Sequence, residues 1–210
     1  MTPAERPPIA LAWTGASGAP YGVRLAQCLL AAGERVALMV SKPAQLVIHG
    51  ETDLALPARA ADMQRVLAER WQAAPGQLRV FGQDEWTAPV ASGSARIRAM
   101  VVCPCSMATL AALASGASRS LIERAADVTL KEQRRLILVP RETPFSAIHL
   151  ENMLKLARLG ALIVPANPGF YHRPACVADL VDFVVARILD LLDVPHALLP
   201  RWGEPPPSSE

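Results

Sequence analysis

Short apolar runs at about 8 to 13, 35 to 40, 99 to 103, 135 to 139 and 160 to 164, with a weaker one at 78 to 82, alternate with stretches whose apolar residues recur every three or four positions. Between 146 and 159 the recurrence falls on Ala147, Leu150, Leu154 and Ala157. Further on it falls on Val177, Leu180, Val181, Val184, Val185 and Ile188. Three- and four-residue steps put those side chains on one helix face. Strands that are apolar without alternation are buried on both faces, which requires a parallel sheet covered by helices. The expected fold is therefore α/β: a three-layer, doubly wound parallel sheet, Rossmann-like or flavodoxin-like. At 210 residues the chain reads as one domain over 1–203, with 204–210, "EPPPSSE", as a flexible tail.

Three of the apolar runs end alike, in "MVVCPCS", "LILVPRE" and "LIVPANPGF". Proline lacks an N–H and does not continue a central strand, so Pro104, Pro140 and Pro165 mark strand ends. In a parallel sheet the carboxyl ends share one edge, and ligands of open α/β sheets bind outside it. The turn after the first run, "TGASGAPYG", belongs to the same edge. Its spacing matches neither G-x-G-x-x-G nor the P-loop, yet a turn this bare lets backbone N–H groups approach an anion. Ser17 lacks the hydrolase elbow context and reads as a hydrogen-bonding group, not an acylated nucleophile. Gly15 to Gly18, Ser106, Arg141 with Glu142, and Asn167 are expected to converge there.

Composition narrows the partner. A net charge of +2, with bases and acids interspersed, argues against nucleic acid or a membrane surface and favours a small molecule. A 51% apolar and 19% charged chain has a rather apolar surface, which favours self-association. "MTPAERPPIA" has no basic segment followed by a long apolar stretch, so a cytoplasmic location is expected. Cys28, Cys103, Cys105 and Cys176 form no C-x-x-C pair and have no His at ligand spacing. Neither a disulfide nor a zinc site is expected, and Cys103 and Cys105 read as small buried thiols at a strand end.

In "SLIERAADVTLKEQRR", Ser120 and Glu123 form a capping-box pair that starts a helix at about 121. Arg124, Asp127 and Lys131 then share a face. That pattern suits a solvated salt-bridge ladder first, with a phosphate held by Lys131 as the alternative. Arg187 lies between Val184 and Leu191 on a largely apolar helix, and needs an anionic partner in Asp182, Asp190 or a ligand. Arg141 and Glu142, just past a strand-ending proline, suit a functional or a structural role equally. Tyr171 in "PGFYHRP" suits packing against its own loop. His172 lacks a recognisable nucleophile partner. Residue chemistry alone reaches an anion-binding α/β enzyme.

The series "TGASGAPYGVRL", "ASGS" at 91 to 94, "CPCSMATLAALASG", "SLIERAADVTLKEQRRLILVPRETPFSAIHLENMLKL" and "PANPGFYHRP" resembles the UbiX-type flavin prenyltransferases from about residue 8 to Gly203. The resemblance implies a homododecamer that binds reduced FMN and dimethylallyl monophosphate without a metal. It joins them by N5 alkylation and C6 ring closure into prenylated FMN for a UbiD-type decarboxylase of ubiquinone biosynthesis or related pathways. It implies FMN contacts at Gly15, Ala16, Ser17, Ser41, Ser106, Met107, Ala108, Thr109 and Arg141. Met107 and Ala108 stand where many members have Thr-Gly, which alters side-chain contacts but leaves backbone donors. The prenyl phosphate is assigned to Arg124, Lys131, Arg141, Tyr171 and Arg187. Trp202 is assigned to the substrate site of a neighbouring subunit. Glu51 and Glu142 are the implied acid/base carboxylates, and Ser17 relays protons. Trp86, beside "ASGS", suits a π face for the allylic cation or a buried structural role. A cage of cations at the leaving phosphate stabilises developing charge without a metal. Two alternatives share the fold. A flavin-dependent cysteine decarboxylase would carry a "PAMN"-type motif where this chain has "PANPGF", and a non-catalytic FMN carrier would not require Lys131, Glu142 and Arg187 to meet.

Overall fold

Strand Ile9–Trp13 (β1) is buried at every position, as a strand covered on both faces must be. In the computed structural model, which describes residues 6–199, it is followed by α1 (Ala19–Ala31), β2 (Val36–Val40), α2 (Lys42–Glu51), α3 (Ala60–Arg70) and β3 (Leu78–Phe81). A 3-10 turn at Pro89–Ala91 leads to β4 (Ala99–Cys105), α4 (Met107–Ala114), α5 (Leu121–Lys131), β5 (Arg135–Pro140), α6 (Ala147–Arg158), β6 (Leu162–Ile163) and α7 (Val177–Leu191). All strand pairings are parallel, and the six-stranded sheet has the order β3-β2-β1-β4-β5-β6. That order winds outwards in both directions from β1 and β4, so the crevice between their carboxyl ends is the topological switch point.

The pleat of β1 separates the two helical layers. Ile9, Leu11 and Trp13 pack with Leu25 and Leu29 of α1, Met63 and Leu67 of α3, and Val185 and Ile188 of α7. Ala10 and Ala12 face the other way, towards Leu110 of α4, Leu121 and Ala125 of α5, and Leu156 of α6. Alternate residues of a strand point to opposite faces, so one strand serves both cores. Each fully buried leucine contributes roughly 1.5–3 kcal/mol by leaving water. α1 and α7 are also joined by a bidentate ion pair, Arg24 to Asp182 at 2.7 and 3.0 Å. Gly22 lets α1 sit close: a Cβ there would lie 2.3 Å from the Cys103 carbonyl oxygen.

Every strand expected from the sequence is present, with adjustments at three ends. Pro104 does not stop its strand. β4 runs through it to Cys105, and the register with β5 shifts between Val102 and Cys105, which absorbs the missing N–H as a bulge. Pro140 is the last residue of β5, and β6 is two residues long, shorter than the 160 to 164 run. Ser120 caps α5 as expected, its Oγ accepting from Glu123 N at 3.3 Å, but the Glu123 carboxylate accepts from Arg119 N at 2.7 Å and leaves the capping box half made. Cys103 and Cys105 are free and fully buried, and burial pushes both thiols up, that of Cys105 to about 12. Trp202 and the 204–210 segment lie outside the described residues. Among the described residues no helix is long and apolar enough to cross a membrane, and no group of three or more His, Cys, Asp or Glu could hold a metal ion.

Candidate active site

The turn after β1 closes on the helices around it. Gly15 touches α2, and a Cβ there would come within 2.4 Å of Pro43 Cβ, so glycine is required by a close approach. Gly18 is the N-cap of α1 with φ 110°, a left-handed conformation in which a side chain would be strained. The N–H groups of Gly18 and Ala19 both donate to Glu51 Oε2, at 2.8 and 2.9 Å. A carboxylate from the end of α2 thus occupies the N-terminus of α1. Its partial burial alone would raise its pKa. The Ser17 hydroxyl, the two backbone donors and the Arg141 guanidinium outweigh that and hold it below the usual glutamate range. Glu51 is therefore an ionised acceptor at neutral pH.

Arg141, immediately after β5, reaches back to the same turn and donates from Nε to the Ser17 carbonyl at 3.2 Å. Ser17, Glu51 and Arg141 form one network drawn from three separate segments.

Two further helix N-termini face this edge. Ser41 caps α2, accepting from Ala44 N at 3.1 Å, and its own N–H donates to the Trp13 carbonyl at 3.0 Å. Ser106 caps α4, accepting from Thr109 N at 3.2 Å, with the two hydroxyl oxygens 3.0 Å apart. Met107 and Ala108 form the first turn of α4, where backbone N–H groups have no intrahelical partner. At the positive end of its dipole α4 offers an anion the N–H groups of Met107 and Ala108, whereas α2 adds only that of Lys42, because Pro43 has none and Ala44 N is bonded to Ser41. Glu142 lies beside Arg141, its Oε1 accepting from Thr143 N at 3.1 Å. Asn167 follows β6 on the same edge.

The remaining sequence-predicted residues stand apart from this turn. Trp86, half exposed, follows β3, which β2 separates from β1. Tyr171 is exposed, with its ring edge-on to Phe183 at 5.5 Å and 4.2 Å from that of His172. Arg124 bonds the Ala91 carbonyl at 3.2 Å and Asp127 at 2.9 Å. Lys131 pairs with Glu132 instead of Asp127, so the ladder stops after one rung. Arg187 pairs with Asp190 at 2.7 Å, and Asp182, the other possible partner, belongs to Arg24. The expectation that Lys131, Glu142 and Arg187 meet is not met within one chain. The reason is topological: α5 runs antiparallel to the strands, so Lys131 at its end lies where the chain re-enters β5, at the amino edge of the sheet.

Sequence reasoning passed over one residue of this edge. Thr14 is 2% exposed, and its Oγ1 donates to the Pro104 carbonyl at 2.7 Å while accepting from Ser106 N at 2.8 Å. The available signal was a hydroxyl residue set between an apolar strand and a glycine turn.

A glycine turn and two capped helix N-termini at the switch point of a parallel sheet define an α/β nucleotide-binding protein, and the family model described as Flavoprotein matches residues 2–189. The flavin prenyltransferase UbiX of Pseudomonas aeruginosa is 63% identical over 196 residues, covering 93% of this chain and 94% of that protein. Among solved structures, AnUbiX (PadA1) in complex with FMN and dimethylallyl pyrophosphate has 42% identity and a TM-score of 0.84, covering 95% of this chain and 99% of that one. The dodecameric FMN-dependent UbiX-like decarboxylase of Escherichia coli O157:H7 has 42% identity and a TM-score of 0.83, covering 93% and 99%. The chain belongs to the UbiX-type flavin prenyltransferases, and it is a prenyl-transferring enzyme.

Proposed function

We propose that the crevice between β1 and β4 binds reduced FMN and that the protein transfers to it a dimethylallyl group from dimethylallyl monophosphate, without a metal. The observation that carries this reading is the convergence of the glycine turn, the Ser41 and Ser106 caps and Arg141 on one edge. The residues fit the group. Small residues at 15 to 18 leave room for a planar ring, and the first turn of α4, with the N–H groups of Met107 and Ala108, presents donors suited to a phosphate. When bound, reduced FMN would supply the nucleophile: N5 would take the allylic carbon and lose its proton as the C–O bond to phosphate breaks, and C6 would close the ring on the alkene once the middle alkene carbon is protonated, C6 then losing its own proton.

The side chains manage charge and protons around that exchange. The leaving phosphate carries away the electron pair of the C–O bond, and Arg141 stands at the edge where that charge develops. Glu51, held ionised, is an acceptor for the ring proton released on closure, and the Ser17 hydroxyl hydrogen-bonded to it is the relay. Glu142, next to Arg141, handles the proton of the departing phosphate. Arg124 and Arg187 add cations and Tyr171 a hydroxyl at the prenyl phosphate, and Lys131 is supplied by a neighbouring copy, because the fold of one chain keeps it at the opposite sheet edge. Support for a shared site comes from the dodecameric relative and from the exposed aromatic residues Phe170 and Tyr171, which follow the edge strand β6. Trp86 offers its half-exposed indole to the allylic cation. The product, prenylated FMN, goes to a UbiD-type decarboxylase of ubiquinone biosynthesis or a related pathway, in the cytoplasm.

Anaerobic incubation with FMN, dithionite, dimethylallyl monophosphate and EDTA tests the reading. A flavin heavier by one C5 unit is expected. Unchanged FMN with folded protein would refute it.

A further inference from the structure

Three consecutive residues at the end of β1 hold both capped helices. The Trp13 carbonyl accepts from Ser41 N at the start of α2, and Gly15 rests against Pro43 two residues further along. Between them the Thr14 side chain reaches the other way, to the start of α4. The link to α2 is main chain and survives any substitution that keeps the backbone. The link to α4 depends on a single oxygen.

That oxygen replaces a ladder that has run out. β1 and β4 pair in register from Ile9 with Ala99 to Ala12 with Val102, and no farther. Beyond Val102 the chain enters the bulge, and Pro104 has no N–H to donate. Two backbone groups at the base of α4 are then left to satisfy, the Pro104 carbonyl and the Ser106 N–H. The Thr14 hydroxyl meets both, donating to one at 2.7 Å and accepting from the other at 2.8 Å, at a site that is 2% exposed. A hydroxyl both donates and accepts on one atom with a rotatable hydrogen, which valine, of the same shape, cannot do. Leaving two buried backbone groups unpaired is costly, so the turn would move to find water.

The geometry points to Thr14 as a positioning residue: its hydroxyl sets the spacing between the glycine turn and the N-terminus of α4, and so the grip of the crevice on the phosphate of FMN. This rests on the reading that the crevice binds FMN. Thr14 acts through Ser106 and touches no flavin itself. The effect should follow the phosphate, since the N–H groups that move are those at the start of α4.

The experiment compares wild type, Thr14→Val and Thr14→Ser for affinity towards FMN and towards riboflavin, which has no phosphate, by quenching of flavin fluorescence. Circular dichroism and thermal melting without ligand report the fold. Thr14→Val is expected to weaken FMN on the order of 10-fold and riboflavin by less than about 2-fold, while Thr14→Ser stays within about 3-fold of wild type for both. FMN bound by Thr14→Val as tightly as by wild type would overturn the proposal. So would equal weakening of both flavins, which marks a general structural role. If Thr14→Val does not fold, Thr14→Ala against Thr14→Ser is read by the same criteria. Wild type that binds no FMN would refute the underlying reading, a result distinct from either failure.

Discussion

The crevice and the cation set differ in how they are built. At the crevice, Ser17, Glu51, Thr14, Ser106 and Arg141 are joined by hydrogen bonds between segments far apart in the chain. Arg124, Lys131 and Arg187 instead spend their charge on acids one or three residues away. Bonds between distant segments need the folded sheet and hold a rigid geometry. Ion pairs within one helix surface are weak, screened and easily exchanged for a stronger partner such as a phosphate. The difference is between a preorganised set at the crevice and a set of cations held only by nearby acids, and the proposed function gives the first to the flavin and the second to the prenyl phosphate.

Glu142→Gln should give the largest effect. A loss of rate on the order of 10²–10⁴ is expected with FMN affinity unchanged, because a proton-handling carboxylate acts mainly in the transition state. Stopped-flow rates beside flavin titration would reveal a parallel loss of both, which would move Glu142 into the preorganised half.

The division itself is tested by mixing subunits. Lys131→Ala alone should weaken prenyl-phosphate binding on the order of 10- to 100-fold. Co-expressed in equal amounts with Glu142→Gln, it should restore activity to roughly a quarter of the sites if Lys131 and Glu142 of one site come from different chains. No recovery in verified mixed oligomers would place both residues on one chain, against the topology of α5.

Gly15→Ala probes the tightest contact of the crevice. Its Cβ would lie 2.4 Å from that of Pro43, and a loss of about 1–3 kcal/mol in stability is expected, with weaker FMN binding, from denaturant melts and titration.

The smallest effect concerns Glu51. Its folded pKa is below its unfolded one, so ionisation favours folding. The advantage of wild type over Glu51→Gln should be complete above about pH 5 and fade as the pH falls below about 4. For so exposed a group it should amount to no more than about 0.5–1 kcal/mol. A stability difference that grows on acidification would contradict the assignment of Glu51 as the anion on α1.

Legibility followed the same division. The alternating apolar runs announced all six strands, and "MVVCPCS" and "LILVPRE" announced the shared carboxyl edge, because periodicity and proline chemistry are local. The Ser120 cap is likewise local, the serine bonding the backbone three residues on. The same local logic misjudged Pro104, since a bulge in the β4 and β5 pairing lets the strand pass through it.

What the amino-acid sequence determined by itself is the set of elements, a parallel sheet covered on both faces and the edge on which the turns lie, all consequences of spacing along the chain. Only the tertiary structure decided that β4 lies beside β1, so that Thr14 meets Ser106 from 92 residues away and Glu51 closes on the N–H groups of Gly18 and Ala19. It also decided that Lys131 lies at the sheet edge opposite the glycine turn, because a helix between parallel strands must return to the opposite edge. Strand order and helix direction are properties of the whole sheet, and no local pattern encodes them.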